Sequence, residues 1–149
     1  MIATVGLALL SCIVTWERVY TVNDFWDRPR LGVANVSGHP HIYESPFNKD
    51  KDDFEDLYLV SPIEPELLAL VLEDWDIWNR WSEAFDRGET SRETHPALPP
   101  DRARHDELKN LIGARFKRHP ANCRKFKAEF RSVRRGWNGM EVEWSEPDH

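Results

Sequence analysis

Residues 61–86, SPIEPELLALVLEDWDIWNRWSEAFD, decide the fold because they contain the longest apolar periodicity in the chain. Ser61 suits the N-cap, Pro62 suits the first helical position, and Gly88 lies just past the end, where helices commonly stop. Three- and four-residue steps bring one set of side chains to a single helical face, namely Leu68, Val71, Trp75, Trp78, Ser82 and Phe85. The pattern predicts a long, tryptophan-rich helix that packs this face against a sheet.

Shorter segments with a period of two precede this helix and predict β-strands. Residues 17–27, ERVYTVNDFWD, alternate valine and threonine with large aromatic residues, which favour strands. Residues 31–36 and 41–44 flank a Ser-Gly pair, which indicates a β-hairpin. Residues 54–60 are predicted to form a short strand that leads into the central helix.

Two further elements follow the central helix. A second helix is expected to open near Pro100 and to end at His119, which precedes a proline. Residues 123–134 fit a helical face, but they also alternate, as do residues 140–144 after the Gly-Trp-Asn-Gly sequence at 136–139. Two alternating runs around such a turn favour a C-terminal β-hairpin, with a helix over 123–134 as the alternative.

Together these elements predict an α+β fold in a single domain over residues 1–149. We expect an antiparallel sheet of about five or six short strands. The sheet packs against the long tryptophan-rich helix and a second helix, and the C-terminal β-hairpin completes it.

The apolar N-terminal segment, residues 1–16, has an uncertain status. Its apolar run is shorter than the ~20 residues of a membrane-spanning helix. A secretory signal would need a basic residue before its apolar run, and no Lys or Arg precedes Arg18. We therefore expect a cytoplasmic protein without a transmembrane span. The sequence LLSC at 9–12 resembles a lipoprotein cleavage box, so anchoring at Cys12 is an alternative. The two cysteines, Cys12 and Cys123, match no disulfide framework or zinc motif.

Charge is segregated along a chain of net charge −6. Residues 1–100 hold 8 Lys and Arg against 18 Asp and Glu, whereas residues 101–135 hold 12 against 4. Such segregation allows two halves of one domain, or two molecules, to attract each other. It also allows nucleic-acid binding through the basic segment 102–135, where aromatic residues interleave.

No common catalytic signature is present, because the chain lacks G-x-S-x-G, H-E-x-x-H, C-x-x-C and a Gly-rich phosphate loop. We therefore expect a non-enzymatic protein-interaction module without a cofactor, which binds a protein partner or a second copy of itself. The candidate partner-binding residues are Trp81, which lies off the main helical stripe and is expected to be partly exposed, and Arg102, Arg104, Arg115, Arg118, Arg134 and Arg135.

Two alternatives remain beside the interaction module and the nucleic-acid interface. A metal-dependent hydrolase would use His39 and His41, which alternate on one strand face, with Glu44. The aromatic residues of the central helix either pack in the core or line a pocket or groove. The candidates for a pocket are Trp75, Trp78 and Trp81, together with Trp26. Paired carboxylates, Asp24 with Asp27 or the acids of the central helix, are more often a solvated face.

Overall fold

Eight β-strands and two α-helices make up the part of the chain that the computed structural model describes, residues 15–117 and 120–148. The strands and helices are β1 (Trp16–Trp26), β2 (Arg28–Val36), β3 (His39–Glu44), β4 (Phe47–Asn48), β5 (Asp53–Phe54), β6 (Tyr58–Pro62), α1 (Pro65–Asp86), α2 (Arg102–Ile112), β7 (Arg124–Ser132) and β8 (Met140–Ser145).

Six of the strands form a closed antiparallel barrel in the order β1-β2-β3-β6-β7-β8. The ring closes where β1 pairs with β8, which places Trp16 opposite Glu143 and Arg18 opposite Glu141. The predicted fold class, an open sheet packed against helices, is therefore wrong. Local periodicity identifies strands but does not report pairing between segments at opposite ends of the chain, so closure was not visible in the sequence.

Aromatic rings from four strands pack together inside the barrel, and two of them come from the last two strands. Tyr43, Tyr58, Phe130 and Trp144 lie in mutual contact, with ring centroids 5.5 to 6.3 Å apart. β7 and β8 pair antiparallel from Lys127 opposite Ser145 to Ser132 opposite Met140. The predicted C-terminal hairpin is thus confirmed, and the helical alternative for residues 123–134 is wrong, because only a period of two turns these rings inward together.

Helix α1 packs on the outside of the barrel. Leu67 and Val71 join Val33 and Ile42 in a buried cluster that seats the helix against β2 and β3. The helix begins at Pro65 and not near Ser61, because Ser61 is still part of β6 and pairs with Ile42.

The end of α1 agrees with the predicted stop. Gly88 has a φ of +74°, and its backbone N–H donates to the carbonyl of Phe85 at 3.0 Å. Glycine adopts this left-handed conformation without the steric cost that a Cβ imposes, so it suits the position after the last turn.

Trp81 is a correction to the predicted face of the helix, because it is 7% exposed and not partly open to solvent. Its ring stacks on Phe85 with centroids 5.1 Å apart, and its Nε1 donates to Thr94 Oγ1 at 2.9 Å. The loop after α1 covers this ring, and helical periodicity carries no information about what a loop covers.

Helix α2 is shorter than predicted and ends at Ile112, followed by Gly113 with a φ of +50°. Leu108 packs against Ile77 of α1 and Ala97, which fixes the two helices together. Within the described residues, neither helix combines the length and apolar character that crossing a membrane requires. Of the N-terminal segment only residues 15 and 16 are described, so the alternative of anchoring at Cys12 lies outside the described residues.

Candidate functional site

A cavity of about 270 Å³ lies between β1, the two helices and the turn that joins β7 to β8. We call it the aromatic pocket. Its lining comes from five separate parts of the chain and comprises Val22, Asn23, Asp24, Phe25, Asp74, Trp75, Trp78, Pro96, His105 and Trp137.

Four aromatic rings in contact with one another line this pocket. Trp75 stacks on Trp78 with centroids 5.0 Å apart, because a step of three residues on α1 brings them to the same face. Trp78 meets Trp137 edge to face at 5.9 Å, and Phe25 meets Trp137 in the same way at 5.4 Å. The near-perpendicular rings give the pocket two aromatic walls, one from α1 and one from the β7–β8 turn.

Asn138 ties these two walls together. Its Oδ1 accepts hydrogen bonds from Trp75 Nε1 at 3.0 Å and from Asn79 Nδ2 at 3.2 Å. Asn138 lies in the 3-10 turn Trp137–Gly139, so both bonds join that turn to α1. The amide of Asn138 therefore helps to hold Trp137 opposite Trp78.

The pocket contains two carboxylates, those of Asp24 and Asp74, beside the amide of Asn23 and the imidazole of His105. His105 Nδ1 lies 2.7 Å from Asp74 Oδ1, and the two side chains are 14% and 28% exposed. The carboxylate of Asp24 makes no hydrogen bond or ion pair with any other residue that the structure describes. The pocket thus presents one unpaired and one histidine-bound carboxylate beside its aromatic walls.

The pocket is the centre of a longer groove along β1. A cavity of about 160 Å³ shares Asn23 and Asp74 with it and continues to Gly113. On the other side, a cavity of about 340 Å³ shares Phe25 and Trp137 and reaches Gly136 and Met140. We call the three together the β1 groove.

The predicted basic residues of α2 and its C-terminal extension contact acids of the first half of the chain. Arg104 donates to both oxygens of Glu73 at 2.6 and 2.7 Å, which holds the pKa of that carboxyl below its usual value. Arg115 lies 3.8 Å from Glu66. The segregated charges thus attract each other within one molecule, which was one of the two interpretations of the sequence.

The remaining predicted partner-binding residues do not gather at one place. Arg102 donates to the carbonyl of Thr94 at 2.8 Å. Arg134 and Arg135 are exposed on the β7–β8 turn, where Arg134 donates to the carbonyl of Asn138 at 3.2 Å. Arg118 lies outside the described residues, and Trp81 is buried in the core.

The predicted metal ligands do not form a metal site. Among residues 15–117 and 120–148, no group of three or more His, Cys, Asp or Glu side chains is placed to hold an ion. His41 is buried with its Nδ1 2.7 Å from the carbonyl of His39, and burial lowers its pKa. Glu44 is three residues from His41 on β3, so it lies on the opposite face of the strand.

Sequence reasoning anticipated part of the aromatic pocket. It singled out Trp75 and Trp78 but joined them to Trp26 and Trp81, which do not line the cavity. It missed Trp137, which it placed in a turn, and His105, which meets Asp74 only through the packing of α2 on α1. No local pattern signals these contacts, because each joins residues far apart in the chain.

Comparison of the chain with models of protein families, with curated proteins and with solved structures finds no match. The site's own geometry therefore carries the functional argument.

Proposed function

We propose that this protein is a non-enzymatic interaction module whose aromatic pocket takes up a cationic group presented by a protein partner. One observation supports this function above others, the coincidence of three indole rings with two carboxylates at a single cavity. Indole faces attract cations more strongly than other aromatic rings, by about 0.5–1 kcal/mol when exposed and about 2 kcal/mol when desolvated. The carboxylates of Asp24 and Asp74 add long-range attraction for the same charge.

A nucleic acid fits this pocket less well than a cation. The pocket carboxylates repel phosphate groups, and the ion pairs of Arg104 and Arg115 with acids occupy cations that a nucleic-acid interface through residues 102–135 would need. That interface stays the alternative derived from the sequence, and a steep loss of affinity with added salt would distinguish it.

A second candidate function is acid–base catalysis at the same pocket. It is favoured by the hydrogen bond between His105 and Asp74, because a carboxylate at Nδ1 fixes the tautomer and leaves Nε2 free to exchange a proton. The described lining residues include no Ser, Thr, Cys or Lys nucleophile. The chemistry would then be proton transfer to a bound ligand, and recovery of a chemically altered ligand after incubation would favour it over the binding module.

Calorimetric titration with three small probes tests the binding function. The probes are the N-acetyl amides of trimethyllysine, lysine and norleucine, which share an aliphatic stem and differ in charge and methylation. We expect the two cations to bind and the neutral norleucine probe to bind at least about tenfold more weakly, a difference of about 1.4 kcal/mol. Equal affinity for all three probes, or no binding at millimolar concentration, would rule the function out.

Substitutions at the walls of the pocket locate the binding. We expect Trp78→Ala and Asp24→Asn each to reduce cation affinity by about fivefold or more, since each removes one source of attraction. The matched control is Trp26→Ala, because Trp26 is 65% exposed and does not line the pocket. Loss of affinity in the Trp26 variant alone would place the cation site elsewhere.

A further inference from the structure

Among the residues that the structure describes, no strand lies along the edge of β1 beside the aromatic pocket. Within the described strands, β1 pairs with β8 only from Trp16 to Arg18, whereas it pairs with β2 from Val19 to Trp26. The barrel closes over the first part of β1 and then separates, because β8 begins at Met140 and the chain before it forms a 3-10 turn. An unpaired strand edge presents backbone N–H and C=O groups to any chain that lies against it.

Two carbonyls of this part of β1 are bonded by side chains of β3 and β2, on the side where β1 is already paired. The Tyr43 hydroxyl donates to the carbonyl of Thr21 at 2.8 Å, and Arg30 Nε donates to the carbonyl of Trp26 at 2.9 Å. Residues 22–25 lie between these two carbonyls. These same four residues line the aromatic pocket.

The pocket borders four consecutive residues at a bulged part of β1. Successive side chains of a strand point to opposite faces, so a cavity on one face meets every second residue. Here four consecutive residues, Val22 to Phe25, border the same cavity. The register of β1 against β2 also shifts between Val22 and Asp24 and between Asp24 and Phe25, and such bulges often re-aim side chains beside binding sites.

We infer that the partner enters as an extended peptide that pairs with residues 22–25 of β1 and places a Lys or Arg side chain in the aromatic pocket. This inference rests on the proposed function and adds the form in which the cation is presented. The β1 groove continues past the pocket in both directions, as a peptide on either side of the bound side chain requires.

Charge and length set the chemistry of this peptide. Asp24 is one of residues 22–25 and its carboxylate has no partner among the described residues, and Asp74 lines the same pocket. The central side chain of the peptide is therefore a cation. Four residues of strand span about 13 Å, and the bulges limit regular pairing beyond that length. The recognised motif is therefore short, with one basic residue between residues that favour an extended backbone.

A seven-residue peptide of alternating threonine and valine with a central lysine is the probe. We compare it with the same peptide carrying norleucine at the centre, and with two peptides that are N-methylated at the odd or at the even backbone nitrogens. We expect the lysine peptide to bind at least about tenfold more tightly than the single-residue lysine amide, since the added backbone pairs contribute affinity. One of the two N-methylated peptides should lose that gain, because antiparallel and parallel pairing each use alternate amides.

Amide hydrogen exchange on the intact chain supplies a second readout. We expect amide exchange at residues 22–25 to slow when the lysine peptide is added. Exchange should stay unchanged with the N-methylated peptide that loses the gain in affinity. The amides of β4 and β5, which lie outside the groove, serve as the internal control.

The outcomes separate the two proposals. If both N-methylated peptides bind as well as the parent while norleucine weakens binding, strand pairing is wrong and the cation-binding function stands. If neither the lysine peptide nor the lysine amide binds, both are wrong. Protection of residues 22–25 in a dimer without added peptide would identify a second copy of the chain as the occupant and overturn the peptide assignment.

Discussion

At the scale of single residues, Gly32 shows how the barrel interior depends on one missing side chain. A Cβ at this position would collide with the backbone oxygen of Thr21 and the hydroxyl of Tyr43. That hydroxyl donates to Thr21 at 2.8 Å inside the barrel. The glycine therefore lets β2 pass close to a buried hydrogen bond that links β1 and β3.

Gly32→Ala should destabilise the protein by about 1–3 kcal/mol, the usual cost of forcing extra volume into a packed core. Urea unfolding followed by circular dichroism measures the change in the free energy of unfolding. The surface change Lys49→Ala, as control, should stay within about 0.5 kcal/mol. A Gly32 variant as stable as this control would mean that β1 and β3 have room to separate.

His41 makes stability depend on pH. Burial lowers its pKa in the folded state below the ordinary value of 6.5, so the unfolded chain takes up a proton at a higher pH than the folded chain. This contribution to stability is complete above pH 6.5 and falls as the pH drops from 6.5 through the folded-state pKa. His41→Gln should therefore reduce the fall in Tm between about pH 7.5 and about pH 5.5.

A surface change that keeps every histidine, Lys49→Ala, provides the control for this experiment. Lys49→Ala should leave the fall in Tm between the two pH values as it is in the unaltered protein, since Lys49 is exposed and makes no contact with His41. Differential scanning calorimetry at the two pH values measures both variants. Parallel pH profiles for the His41 variant and the unaltered protein would contradict the prediction.

At the scale of elements, Asn138 joins the β7–β8 turn, which forms one wall of the aromatic pocket, to α1. Asn138→Leu removes both hydrogen bonds at similar volume and leaves the indole N–H of Trp75 unpaired. We expect a loss of about 1–2 kcal/mol in the free energy of unfolding and a fall in cation affinity of about fivefold or more. The shift of tryptophan fluorescence on titration of the lysine probe measures the affinity.

Ser45→Ala is the matched control for Asn138→Leu, because it also removes two hydrogen bonds and lies outside the pocket. Ser45 Oγ donates to the carbonyl of Glu55 at 2.7 Å and accepts from Arg30 at 3.0 Å. This variant should lose comparable stability and keep its cation affinity. If both variants bind the probe alike, Trp137 does not need the Asn138 bonds to stay in place.

At the scale of the whole molecule, closure makes the last strand part of a single cooperative unit. β8 pairs with β1 and β7 and contributes Val142 and Trp144 to the interior. Ending the chain after Gly139 should therefore abolish cooperative folding of the entire domain, because it opens the barrel on both sides of the missing strand. Near-ultraviolet circular dichroism and thermal unfolding measure the loss.

Ending the chain after Ser145 is the control, since it keeps β8 complete and removes, among the described contacts, the exposed ion pair between Asp148 and Lys127. An open sheet would respond differently to the truncation after Gly139. Its first strands and both helices would remain folded without the terminal hairpin. A cooperative transition in the chain that ends at Gly139 would thus contradict a closed barrel.

The same distinction explains how much of the site was predictable. Trp75 and Trp78 stood out because their spacing is local to one helix. In the sequence, Asp24 and Asp74 look like members of separate solvated faces, and His105 looks isolated. The residues within a few positions of each one give no sign that the three side chains meet at one pocket. The pocket arises where α2 packs on α1 and where β1 departs from β8.

The sequence by itself determined the local elements, among them the long helix, its stop at Gly88 and the terminal hairpin. Periodicity and turn chemistry act between residues a few positions apart, so these features are present in any short stretch of the chain. Only the tertiary structure decided that the strands close into a barrel, that Trp81 is buried and that three tryptophans meet two carboxylates. Those outcomes depend on pairing and packing between residues far apart in the chain, which local preferences leave open.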